Sequence, residues 1–429
     1  MSDPGSDPAG LTRRPAEMGR DLRGGTGAVL DARSRQSLRA SRHMTNPDAA
    51  TRLLRSHKAD SFSFGIEEEY FLVDGETKSV VLERPPQFLS DVKAALGDQV
   101  ASEMLQSQIE ISTLPHVDMR TARAELTHLR HTVAQVARQH GFAIIAAGTH
   151  PTADWWRAVP TAGARYDAIM HDLGAVGKRD MLCGMHVHVE LPNGEDRLDV
   201  MYRMLPYLPL FIALSTSSPF WQSEATGLMG YRLAAYDELP RTGVPELLRS
   251  REEFDAYIEA LTAAGVIPDA SYVWWAIRPS LKHPTLELRA PDSCTLVEDS
   301  IAIAALYRSL ARKLVRDPMH NADLDAIQRA IVVENKWRAQ RYGIHGTFID
   351  THGGPAWRIP ELLDELIEDV MPDAIALGCA DEVWRCRAIA RGGTSADMQL
   401  ALFHAHASGA GRTEGLAAVM DWLVAATVQ

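Results

Sequence analysis

GIEEEYFLVD, residues 65–74, sets three consecutive glutamates inside a run that is otherwise aromatic and aliphatic. Such a run reads as a β-strand. Residues i and i+2 of a strand share a side, so Glu67 and Glu69 stand together and Glu68 points the other way. Three more stretches follow the same rule. In QIEIS (108–112), Gln108, Glu110 and Ser112 oppose Ile109 and Ile111. In MHVHVEL (185–191), His186, His188 and Glu190 oppose three aliphatic residues, and in TLELRAPD (285–292), Thr285, Glu287 and Arg289 oppose Leu286 and Leu288. Any one of these could be an ordinary half-exposed strand. Together they are unusual, because a solvated sheet face carries lysine and threonine, and these faces carry Glu, His, Gln and Arg without a lysine. Glu67 and Glu69 on one side repel unless positive charge lies between them. A divalent cation is the simplest remedy, and oxygen-rich ligands favour Mg²⁺ or Mn²⁺ over Zn²⁺. The His186-x-His188-x-Glu190 spacing keeps a hydrolytic zinc site open as an alternative, although no HExxH and no cysteine pair accompany it.

Outward from these strands, SEMLQSQIEISTL reads as one strand after a short helix, and FAIIAAG (142–148) as a buried strand. Helical spacing of Leu126, Leu129, Val133 and Val136 predicts a helix closed by Gly141. Further helices are expected at 197–215, 252–264, 297–316 and 322–342, and residues 360–429 read as helical with breaks at Gly378, Gly392–Gly393 and Gly409–Gly411. The order is not a βαβα alternation. It predicts an α+β fold in which an antiparallel sheet has helices on one face. Residues 1–58 are rich in Gly, Pro, Ser, Asp and Arg, and cannot bury enough apolar surface to order themselves. They are expected to be a disordered tail, with Met44 a candidate start, ahead of a single domain at 59–429 whose C-terminal part is helical.

The net charge of −12 argues against nucleic acid or an acidic membrane as partner. The longest apolar stretch, from Met204 to Trp221, contains prolines, serines and a threonine and reads as a buried helix running into a loop, not a span. Four widely spaced cysteines, with no CxxC and no visible secretory signal, read as reduced thiols of a cytoplasmic protein.

GIEEEYFLVD, QIEIST, GMHVHVEL, SPFWQSEATGLMGYRLAAYDELPRTGVP (218–245), RPSLKHPTLELRAPD (278–292) and ENKWRAQRYG (334–343) occur in the order seen in carboxylate–amine ligases. From about Phe62 to the C-terminus the chain resembles the glutamate–cysteine ligase type 2 family. The resemblance implies a glutamine-synthetase-like catalytic fold, with a curved antiparallel sheet holding ATP, metal and glutamate. It implies that the γ-carboxylate of glutamate takes the γ-phosphoryl group of ATP and that an amine, cysteine in the named reaction, then displaces phosphate. It also implies Glu67, Glu69, Glu110, His186 and Glu287 as metal ligands and Arg289 as a residue facing the phosphates.

The arginines complete this reading, since planar guanidinium groups suit carboxylate and phosphate alike. Arg338 and Arg341 lie three apart on the 322–342 helix, with Asn335 three before Arg338. Arg232 and Arg241 flank a stretch read as a loop, and Arg278 precedes Pro279 ahead of the Glu287 strand. Arg289, Arg338 and Arg232 are the expected catalytic group, and Arg289, Arg338, Arg341 and Asn335 the expected nucleotide contacts. No Walker A or GxGxxG is present, so the nucleotide must bind through metal and sheet. The expected function is an ATP- and Mg²⁺-dependent ligase (Mn²⁺ as an alternative metal) acting on glutamate and an amine such as cysteine. A metal-dependent amide hydrolase and a non-catalytic amino-acid or nucleotide binder are the competing readings. The identity of the amine and the oligomeric state, a homo-oligomer included, stay open.

Overall fold

The computed structural model describes residues 62–192 and 194–429. The expectation of a disordered tail at 1–58 and the candidate start at Met44 lie outside them. Strand β1 (Phe64–Asp74) is followed by helix α1 (Pro86–Leu96), β2 (Val100–Ser102), β3 (Gln108–Ser112), α2 (Met119–Gln139) and β4 (Phe142–Ile145). Short helices α3 (Ala164–Leu173) and α4 (Ala175–Lys178) lead to β5 (Met185–Glu190). The predicted 197–215 helix divides into α5 (Arg197–Met204) and α6 (Leu208–Ser215), joined by a tight 3₁₀ turn at Leu205–Tyr207. Pro206 and Pro209 lie at this junction and cannot donate the helical hydrogen bonds. A two-residue pair, β6 (Phe220–Trp221) and β7 (Glu224–Ala225), precedes α7 (Arg232–Tyr236) and α8 (Arg251–Ala263). Strands β8 (Ile277–Pro279) and β9 (Thr285–Leu288) precede α9 (Val297–Arg316) and α10 (Ala326–Tyr342). After the hairpin β10 (Thr347–Phe348) and β11 (Trp357–Arg358) come α11 (Ile359–Ala376), α12 (Ala380–Gly392), α13 (Ser395–Ala410) and α14 (Arg412–Thr427). The last four break at the expected glycines.

The main sheet runs β2-β3-β1-β5-β9-β8, with β4 also paired to β1. Every pairing in it is antiparallel. The even-numbered residues Ile66, Tyr70 and Leu72 of β1 enter one large apolar core with Ile109, Ile111, Val187, Val189, Leu286 and Leu288. The apolar stripes of α2 and α9 bury against that side, including Leu126, Leu129, Val133, Ile301 and Leu310. The opposite face is polar only over half of β1. Beyond Glu69 its odd-numbered residues turn apolar, and Phe71 and Val73 join a second cluster with Leu105, Ile145 and Val419 and Leu423 of α14. The polar half is therefore a bounded basin, not a solvated sheet. Among the described residues no helix is long and apolar enough to cross a membrane.

Candidate active site

Register decides what meets in the basin. Glu67 lies between Ser112 of β3 and His186 of β5, and Glu69 lies directly opposite Glu110. His188 is opposite Glu287, which in turn is opposite Arg278 of β8. The His186 ring places Nδ1 3.3 Å from Glu67 Oε2 and Nε2 3.8 Å from Glu69 Oε1, and His188 Nε2 is 3.3 Å from Glu67 Oε1. Arg289, one residue past β9, forms an ion pair with Glu287 and donates to the Tyr236 hydroxyl at 3.4 Å. Arg278 grips Glu287 with two hydrogen bonds of 2.8 and 3.1 Å.

Charge divides the basin in two. On the β8–β9 side, burial tends to raise the Glu287 carboxyl, but Arg289 and Arg278 outweigh it and hold it well below the usual range. Glu67 is likewise raised by burial and lowered further by His186 and His188, so it stays ionised. On the β2–β3 side, negative charge is in excess. Burial and then the carboxylates of Glu67, Glu103 and Glu69 push Glu110 well above its ordinary value. Burial and Glu69 push Glu103 up to about 8. Asp180, just before β5, is raised well above the carboxylate range by burial, Glu69 and Glu103. One half thus has arginines matched to a carboxylate, and the other has acids in want of a cation.

His186 is the hinge between the halves. Glu67, His186 and Glu287 offer ligand atoms all within 4.8 Å of one another, and so do Glu69, Glu110 and His186. His186 Nε2 is buried and, among the described residues, has no hydrogen-bond partner. Oxygen-rich sets with one imidazole and an orphaned ring nitrogen fit a hard divalent cation. The HVHVE stretch does not converge on a site of its own. His188 Nδ1 is engaged by the Thr285 hydroxyl at 2.9 Å, and Glu190 accepts from Ser63 Oγ at 2.5 Å.

Of the residues expected from sequence, Glu67, Glu69, Glu110, His186, Glu287 and Arg289 are brought together. Arg232 is close but differently employed. It opens α7 rather than lying in a loop, is 2% exposed, and donates to the carbonyls of Arg289 (3.3 Å) and Pro291 (3.1 Å). A Cβ at Gly184 would lie 2.1 Å from its Nη2, so glycine is what leaves room for this guanidinium behind the histidine strand. Asn335, Arg338 and Arg341 form a separate group on α10. Asn335 exchanges two 2.8 Å hydrogen bonds with the Ile349 backbone, and Arg338 donates to Thr347 O and Oγ1, both at 2.6 Å. Arg341 lies over the Tyr342 ring at 5.1 Å. A backbone tie joins the groups: Gln340 O accepts from Met229 N and Gly230 N, just before Arg232.

Glu103 and Asp180 were missed. Read as one strand, SEMLQSQIEISTL puts Glu103 and Glu110 on opposite faces, seven residues apart. The turn between β2 and β3 resets the parity. Ala101 faces Glu110, and Glu103, two residues on, comes to the same side. The break needed to see this carries neither Gly nor Pro; its residues are Glu103 to Ser107.

Residues 63–417 match the model of glutamate-cysteine ligase family 2. A protein of Bradyrhizobium diazoefficiens named "Putative glutamate--cysteine ligase 2" is 53% identical over 371 residues, covering 86% of this chain and 85% of its own. One of the same name from Rhodospirillum rubrum is 42% identical over 373 residues, covering 86% and 96%. Among solved structures, the glutamate–cysteine ligase of Francisella tularensis in complex with AMP superposes with a TM-score of 0.62 at 12% identity, covering 86% of this chain and 89% of that one. A bifunctional glutathione synthetase from Pasteurella multocida gives 0.61 at 15% identity, and this chain spans about half of its length (52%). At such identities the two structures speak for the fold, and the α+β expectation with its antiparallel sheet holds.

Proposed function

The chain belongs to glutamate-cysteine ligase family 2 and is an ATP-dependent ligase that forms a C–N bond; on that premise we propose that it joins the γ-carboxylate of L-glutamate to the amino group of L-cysteine. The products are γ-glutamylcysteine, ADP and phosphate. What supports the reading most is the divided basin, with acids lacking a cation on one side and arginines on the other, meeting at His186. Phosphoryl transfer needs both, because its catalysis is positioning plus charge neutralisation.

In the first step an oxygen of the γ-carboxylate attacks the γ-phosphorus, and the bond from that phosphorus to the ADP oxygen breaks. In the second, the amine nitrogen attacks the acyl carbon, phosphate leaves with the bridging oxygen, and the nitrogen gives up a proton. Glu67, Glu69, Glu110, His186 and Glu287 would hold Mg²⁺ (or Mn²⁺), which when bound supplies countercharge to the phosphates. Arg289 is assigned to the transferring group: its Nε is buried and, among the described residues, has no partner. Arg232 acts with it by fixing the backbone at 289–291. Arg338, Arg341 and Asn335 are assigned to the nucleotide, from α10. The free, buried cysteines suit a reducing cytoplasm.

Incubation with ATP, Mg²⁺, glutamate and cysteine should release ADP and phosphate in step with γ-glutamylcysteine. AMP with pyrophosphate in their place, or amide chemistry that needs no nucleotide, would refute the proposal.

A further inference from the structure

Glu68, between the two site-facing glutamates of β1, is turned into the core and fully buried. Arg130 of α2, also fully buried, meets it with a fork of 2.7 and 2.8 Å. The hydroxyls of Tyr70 and Ser300 (the latter on α9) donate to the same carboxylate. The rest of the guanidinium donates to the carbonyls of Cys294 and Thr295 at 2.8 Å and of Thr427 at 3.2 Å. Cys294 and Thr295 follow the Arg289–Asp292 segment, and between them and it Ser293 Oγ donates to the Glu69 carbonyl at 2.8 Å. One ion pair thus ties the back of β1 to α2, α9, the end of α14 and the chain just past Arg289.

A buried ion pair is a poor way to gain stability. Removing both charges from water offsets most of the attraction, and apolar replacements of equal volume are often as stable. What such a pair gives is direction, because a bidentate fork is satisfied in one geometry only. Here that geometry sets β1 against the 289–295 segment, and hence Glu67 and Glu69 against Arg289.

We propose that Glu68 and Arg130 are positioning residues that act through Glu67 and Glu69, fixing the acidic half of the basin against Arg289. The inference deepens the ligase reading and rests on it for its activity arm. The test compares the full chain with Glu68→Gln, Arg130→Lys and Ser300→Ala, the last removing the hydroxyl that donates to Glu68 and accepts from Arg130 at 3.4 Å while leaving the ion pair. Three quantities are measured: Mn²⁺ affinity by calorimetry, turnover well below the melting temperature, and the melting temperature itself. Glu68→Gln and Arg130→Lys should weaken Mn²⁺ binding at least fivefold and slow turnover at least tenfold in molecules that remain folded. Ser300→Ala should shift both two- to threefold in the same direction. A lower melting temperature with unchanged Mn²⁺ affinity and turnover would show a merely structural pair and overturn the proposal. If the two charge-pair variants do not fold, Ser300→Ala decides alone, and unchanged affinity and turnover there overturn it. Glu67→Gln serves as the control: if it leaves Mn²⁺ affinity untouched, the metal assignment has failed, and not this inference.

Discussion

Glu110 and Glu287 face the same basin, yet removing their charges should have opposite consequences. From the sequence, neutralising Glu67 or Glu287 is expected to relieve like-charge repulsion. The structure restricts that to the β2–β3 side. Glu110 sits opposite Glu69 and is raised by its neighbours, so Glu110→Gln should hold or raise the melting temperature while weakening Mn²⁺ binding. Glu287 answers two arginines, and Glu287→Gln would leave buried cations uncompensated, costing roughly 3–5 kcal/mol. Chemical denaturation of the two variants without metal checks both signs. Glu103 adds a pH dependence. Its folded-state pKa, about 8, lies above its ordinary value of 4.5, so the stability it contributes is complete below about 4.5 and is lost as pH rises through 8. The metal-free protein should therefore lose melting temperature over that window, and Glu103→Gln should flatten the fall. A slope unchanged in Glu103→Gln would count against the assignment.

At the level of elements, β5 and α7 are fitted through a single glycine. Gly184→Ala must displace the Arg232 guanidinium, since its Cβ would fall 2.1 Å from Nη2. It should cost about 1–3 kcal/mol of stability, as overpacking does, and lower turnover more than Arg241→Ala, whose guanidinium donates instead to the Tyr272 carbonyl at 3.0 Å. Thermal melts and initial rates on both variants test this. The four strand faces were legible in the sequence because alternation needs only parity, and every pairing keeps the expected side. Glu103 was not, because the turn that resets parity has no glycine or proline to mark it. Arg232 was misjudged for a related reason: Gly, Tyr and Pro around it suggested a loop, while RLAAY is held as a short helix by packing. Asp180 offered no pattern at all. Its relevance comes from the chain folding back to β5.

At the scale of the whole molecule, we propose that residues 59–429 form the catalytic domain. The match to the family begins at residue 63. A chain beginning at Met44 is expected to keep its melting temperature and rate, because the sequence before it is rich in Gly, Pro, Ser, Asp and Arg and offers little apolar surface; a large fall in either would contradict this. The central claim is that two halves of one basin activate a carboxylate by phosphorylation. Glutamate labelled with ¹⁸O in both γ-carboxylate oxygens tests it most directly. After turnover with ATP, Mg²⁺ and cysteine, the account predicts that the released inorganic phosphate carries one ¹⁸O per γ-glutamylcysteine formed. Label found in AMP, or retained wholly in amino acid and dipeptide with none in phosphate, would contradict it.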